Sequence, residues 1–255
     1  MLPTPSTSHV PYDRVYEPAE DSYLLLDTLS SASETQWLHD RLANVPAPLI
    51  CEIGTGSGVV LAFVAANTSR ILGRSDALAI GVDINHFACK ATARTVYQAI
   101  EAHTEKAARR PLFLGAVHGD LTTALKPASL DVLVFNPPYV PAPLPDNALH
   151  RHDEQISYSS HEVFERDSHL LALSYAGGED GMEVTNRLLD EIPRILTDRG
   201  VAYVLLCAQN KPKTVIDNIK SWSSGWDACI VGDSGGKAGW EKLVVLRICR
   251  NARDQ

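Results

Sequence analysis

Three apolar runs, each closed by a carboxylate, constrain the fold of this chain more than any other feature. Leu49-Ile50-Cys51-Glu52-Ile53, Ala77 to Val82 followed by Asp83, and Leu112 to Val117 followed by His118-Gly119-Asp120 have the length and apolar density of buried strands. Segments with helical spacing lie between them, Val59 to Ala66 and residues 86–108. Strands alternating with helices point to a largely parallel sheet with helices packed on its faces. A fourth run, Asp131 to Phe135, reads as a strand buried on both faces. Ligands of open α/β sheets bind beyond the carboxyl ends of the strands. Glu52, Asp83 and Asp120 all fall there.

The first run leads into Gly54-Thr55-Gly56-Ser57-Gly58. Glycines at this spacing let the backbone turn sharply and let a ligand approach main-chain atoms. On its own such a turn would suit a dinucleotide equally well. The carboxylate of Glu52, two residues before the first glycine, favours a cofactor bearing an ammonium group over one bearing a pyrophosphate. Asp83 at the next strand end can accept from ribose hydroxyls. Asp120 can accept from an adenine amino group while Leu121 covers the ring.

The fourth run ends in Asn136-Pro137-Pro138-Tyr139. Two prolines cannot donate backbone hydrogen bonds, so the strand stops and the chain is held extended. An amide side chain, bare carbonyls and an aromatic ring at a strand end can grip a planar NH2 group. Asn136 and the Pro137 carbonyl would accept its two N–H bonds, with Pro138 and Tyr139 beside it. A plain proline-rich turn is the alternative reading of this stretch.

Charge and composition narrow the partners. The 255 residues suit one α/β domain. Their net charge of −8 argues against a protein that grips nucleic acid through phosphates. The compact basic cluster Lys106, Arg109 and Arg110 reads as a helix end. Five cysteines, Cys51, Cys89, Cys207, Cys229 and Cys249, are scattered singly, without zinc-ligand spacing, and read as thiols in a reducing compartment. No apolar run approaches the roughly 18 residues of a membrane span, and the start lacks a signal peptide's pattern. The expectation is a cytoplasmic protein, or a cytoplasmic and nuclear one.

Residues 1–14 read as a mobile tail and 15–250 as one domain with an inserted loop at 142–176. Within that loop His150, His152, Asp153 and His161 are expected to be solvated rather than metal ligands, and Val163 to Tyr175 to contain a short helix. By pattern alone, Glu20, Asp21 and Ser22 make a capped, dipole-matched start for a helix through Leu29. A short amphipathic piece is expected within 37–48. Ala176-Gly177-Gly178-Glu179-Asp180-Gly181 is a turn. Met182 to Leu196 reads as a helix interrupted by Pro193, Val201 to Ala208 as a buried strand, and 212–222 as a helix. Trp226 to Val231 and Lys242 to Ile248 form a hairpin, which makes the closing strand antiparallel.

Taken together, Val15 to Ser22, Glu52 to Gly58, Val82-Asp83-Ile84-Asn85, Phe135 to Val140 and the Ala176-Gly177-Gly178 to Gly181 segment resemble the HemK-type family, which methylates a glutamine side chain in class 1 translation release factors; its eukaryotic branch is the best fit. The resemblance spans about residues 15 to 185. It implies the class I S-adenosylmethionine-dependent methyltransferase (Rossmann-like) fold, a seven-stranded mostly parallel sheet. It implies S-adenosyl-L-methionine as cofactor, held by Ser22, Glu52, Gly54, Gly56, Asp83, Asp120, Leu121 and Asn136. It implies catalysis by Asn136, Pro137 and Tyr139, and substrate contacts from Asn136, Pro138 and Tyr139. It also overrides the plain helix-start reading of Ser22, which stands where the family usually has threonine. Members of this branch work with a small zinc-binding activator, expected here on the strand at 112–117 by strand addition. The alternatives are N6-adenine methylation of DNA, methylation of protein lysine, or a non-catalytic cofactor-binding subunit.

Overall fold

A computed structural model of the chain describes residues 2–103, 110–145, 160–222, 225–235 and 242–251. Its centre is β4 (Leu130–Phe135), in which every residue is buried. Such a run needs cover on both faces and neighbours on both sides. It lies between β1 (Leu49–Ile53) and β5 (Leu196–Cys207), parallel to both. Outward from β1 come β2 (Leu78–Asp83) and β3 (Leu112–His118), also parallel. Beyond β5 lie β7 (Leu243–Arg250) and then β6 (Trp226–Asp233). Strand β7 runs antiparallel to both of its neighbours. The resulting order, β3-β2-β1-β4-β5-β7-β6, is the class I methyltransferase arrangement that the motifs implied.

The two-residue period of strands sorts the side chains into two cores. Val132, Val134, Tyr203 and Leu205 pack with α1 (Glu20–Leu29), α2 (Ala32–Leu42), α3 (Val59–Ala66) and α5 (His86–His103). Leu133, Phe135, Val204 and Leu206 pack with α7 (Glu183–Ile195) and α8 (Pro212–Lys220) on the other face. One buried charge ties the first layer to the sheet. Glu34 of α2 accepts from Tyr203 Oη at 2.9 Å and Arg247 Nη1 at 2.7 Å.

Four expectations change. Within the segment read as a free tail, Val10 is buried, clustered with Val15 and with Ala88 and Ala91 of α5, because an apolar side chain there finds an apolar stripe on that helix. The piece expected within 37–48 is a helix from Ala32, capped by Ser31 accepting from Glu34 N. A one-turn helix, α4 (Thr68–Ile71), follows α3. The 142–176 segment carries a long helix, α6 (Ser160–Tyr175), rather than a short one. Pro193 sits in the last turn of α7 and the helix runs on to Ile195, since a proline there removes only one bond near a frayed end. Lys106, Arg109, His150, His152 and Asp153 lie outside the described residues, as do residues 146–159 of the stretch read as an inserted loop.

Candidate active site

A cavity opens beyond the carboxyl ends of β1, β2 and β4, where the sequence motifs converge. Ser22, Glu52, Gly54, Gly56, Asp83, Asp120, Leu121, Asn136 and Pro138 all line it. The glycine turn shapes one wall. Gly54 and Gly56 have φ of +66° and +51°, a region L side chains avoid.

Two buried carboxyls occupy that wall. Glu52 Oε2 accepts from Leu61 N at 2.8 Å, in the first turn of α3. Asp83 Oδ2 accepts from Gly56 N at 2.9 Å and Thr55 Oγ1 at 3.4 Å, and Oδ1 from Asn85 N at 2.7 Å. Removal from water raises Glu52 well above the ordinary glutamate value; the Leu61 bond opposes this and the charge of Asp83 adds to it. Asp83 is raised for the same reason, against the bonds from Asn85, Gly56 and Thr55. Asp83 Oδ1, with one bond, keeps lone-pair capacity for a further donor.

Asp120 is different. It is partly exposed and its Oδ2 is engaged by Arg187 Nη2 of α7 at 2.6 Å. Leu121 beside it is buried and holds φ of +48°. Arg187 also lines the cavity and did not stand out in the sequence, because its partner is 67 residues away.

The extended chain after β4 divides its side chains by alternation. Asn136 and Pro138 line the main cavity. Pro137 is buried and absent from that lining, and Tyr139 lines a second, smaller cleft with Val140, Pro141, Cys207, Ala208, Gln209 and Lys242. The Asn136 side-chain oxygen is buried and has no hydrogen-bond partner among the described residues. A buried acceptor without a donor costs about 1–3 kcal/mol, so a site that keeps one is built for a donor from outside.

The segment before α1 forms the opposite rim. Asp21 and Ser22 are both buried. Asp21 Oδ2 accepts from Tyr16 Oη at 3.0 Å, and its Oδ1 accepts from Ser22 N at 2.5 Å and Ser22 Oγ at 3.2 Å. Asp21 therefore faces a cavity rather than solvent at a helix end, which the helix-start pattern alone does not reveal. Arg14 pins this rim to α6 through Asp167 Oδ2 at 3.0 Å, and its carbonyl accepts from Asn85 Nδ2 at 2.7 Å. From the 142–176 segment, Leu144, Pro145, Leu170, Leu173 and Ser174 add to the lining. Among the described residues no group of three His, Cys, Asp or Glu is arranged to hold a metal ion.

Comparison with known proteins gives three relatives of note. The chain is 32% identical over 254 residues to the eRF1 methyltransferase catalytic subunit mtq2 of Schizosaccharomyces pombe, covering 98% of this chain and 96% of that protein. It is 33% identical over 253 residues to methyltransferase HEMK2 of Mus musculus, covering 98% of each. A release factor glutamine methyltransferase of Caulobacter vibrioides is 31% identical over 153 residues, 60% of this chain and 43% of that one. Among solved structures, the type IIG restriction endonuclease BpuSI superposes with a TM-score of 0.53 at 16% identity, over 94% of this chain and 26% of that one, a likeness of fold alone. No protein-family model matches the chain.

Proposed function

Since this chain belongs to the HemK-type release factor methyltransferases, in their eukaryotic branch, we propose that it transfers a methyl group from S-adenosyl-L-methionine to the side-chain N5 of a glutamine in the class 1 release factor eRF1. The observation that carries this reading is the side chain of Asn136, whose buried oxygen finds no partner among the described residues, in the lining of a cavity whose far wall is acidic.

The lining fits the cofactor chemically. Glu52 and Gly54 suit the amino-acid end, Asp83 the ribose hydroxyls, and Asp120 with Leu121 the adenine, with Ser22 at the rim. The bound cofactor supplies an electrophilic methyl on a sulfonium. The chain's own task is to present a poor nucleophile, since an amide lone pair is delocalised into its carbonyl. Asn136 Oδ1 accepts one substrate N–H. The carbonyl of the Pro137–Pro138 peptide accepts the other, its Pro138 side bordering the cavity. These acceptors hold the nitrogen in line and stabilise positive charge as it develops. Alignment of this kind can supply about 7–11 kcal/mol of a barrier. With the cofactor bound, its methyl would pass to the nitrogen held by these acceptors and one amide proton would leave to water, so no strong base is needed. Tyr139, on the far side of the turn, would contact the substrate outside the cofactor cavity.

A small zinc-binding activator is proposed as partner, added at the β3 edge. The support is an apolar face at that edge: Leu112 and Leu114 are half or more exposed, and so is Tyr97, packed edge-on against Phe113. A cytoplasmic or nuclear location is proposed from the five free cysteines. Burial pushes the Cys89 thiol up to about 12, so it stays protonated.

The test is methyl transfer from labelled cofactor by the chain co-expressed with a zinc-binding activator. The substrates are the release factor, its glutamine-to-alanine variant and unmethylated duplex DNA. Label on the release factor that disappears with the glutamine is expected. Label on DNA alone would overturn the reading and favour adenine methylation.

A further inference from the structure

The turn that grips the substrate has no way to hold itself. Pro137 and Pro138 donate nothing, so the positions of the Pro138 and Tyr139 carbonyls must be set from outside. The Ala176–Gly181 segment runs alongside: Val140 N donates to Tyr175 O at 2.9 Å, Gly177 N to Val140 O at 2.8 Å and Gly178 N to Ala142 O at 2.9 Å. Its glycines bring backbone against backbone. A Cβ on Gly177 would collide with the Pro138 oxygen, and one on Gly181 would collide with the Tyr139 carbonyl.

One side chain closes this assembly. Asn210 lies in the single 3-10 turn (Ala208–Asn210) after β5 and is buried. Its Oδ1 accepts from Cys207 N at 2.8 Å. Its Nδ2 lies 3.2 Å from Asp180 O, 3.4 Å from Gly181 O and 3.5 Å from Tyr139 O. A single amide thus joins the end of β5, the glycine loop and the Asn-Pro-Pro-Tyr turn. The nearby Lys211–Asp180 ion pair at 2.9 Å is two-thirds exposed on both sides and contributes little.

We propose that Asn210 is a positioning residue for methyl transfer. Resting on the amide-methylation reading above, it acts through the Tyr139 carbonyl and the glycine loop on the acceptors that hold the reacting nitrogen. It reaches neither the cofactor cavity nor its lining. Its loss should therefore lower kcat and leave cofactor affinity alone.

Asn210→Asp keeps the acceptor for Cys207 N and removes both donors. With the release factor and the co-expressed activator, kcat should fall about 10- to 100-fold, as expected of a misplacement approaching 1 Å. The KM for the release factor and the Kd for cofactor, by calorimetry, should stay within twofold. Gly177→Ala leaves the Asn210 side chain in place but presses on the Pro138 carbonyl and on the Gly181 carbonyl that Asn210 reaches, and should give the same split. Lys211→Ala should match wild type. Wild-type kcat in either folded variant overturns the proposal, as does a tenfold loss in Lys211→Ala, which would shift the role to the exposed ion pair. A wild-type enzyme that leaves the release factor unlabelled overturns the functional reading, and this inference with it.

Discussion

At the scale of single residues, the site is a set of acceptors waiting for donors. Asn136→Ala removes the unpartnered oxygen, and turnover of the release factor should fall at least 100-fold while cofactor Kd moves less than fivefold. Equal losses in both would remove Asn136 from the substrate side. Glu52 makes a pH prediction. Because burial raises its folded-state pKa, the fold prefers the neutral acid. The stability this confers is full below the ordinary glutamate range and is lost as pH climbs through the raised value. A cationic ligand reverses the preference, so cofactor affinity should rise with pH through that same interval, with protons released on binding. Calorimetry in buffers of different ionisation enthalpy reads the release, and Glu52→Gln should abolish it. Glu52, Asp83 and Asn136 were legible in the sequence because strand ends and glycine or proline turns mark them. Asp21, Arg187 and Asn210 were not. Asp21 carries the pattern of an ordinary helix start, and the other two matter through partners 67 and 71 residues distant.

At the scale of elements, strict periods read well and mixed ones poorly. Helix α3 runs from Val59 to Ala66 as its apolar run indicates, since nothing competes with an eight-residue helix buried at every position but its last. Helix α6 was underestimated because its polar first half gives no stripe, and its apolar second half faces the cavity rather than the main core. The glycine turn before α3 supports a sharper test. Gly58 has φ of +77°, and a Cβ there would lie 2.6 Å from Thr92 Cα. Gly58→Ala should cost about 2–5 kcal/mol, from left-handed strain of about 1–2 and overpacking of about 1–3. Gly54→Ala meets nothing closer than 3.6 Å and should cost only the strain. Urea melts of the two variants make the comparison.

At the scale of the whole molecule, the sheet has two unequal edges. The β3 edge is apolar and exposed, so Leu114→Glu should abolish co-purification with the activator and leave cofactor Kd unchanged, as gel filtration of the co-expressed pair would show. Retention of the complex would move the partner elsewhere. At the other side, β6 is hydrogen-bonded to β7 alone, and β7 follows it in the chain yet lies between it and β5. During synthesis, then, the ribosome delivers β6 before anything exists to join it to the sheet. The flank of β5 stays open until the last strand threads into place. Assembly of this half is gated by the arrival of β7, and a polypeptide stalled or clipped before it would leave the flank of β5 and the whole of β6 unpaired.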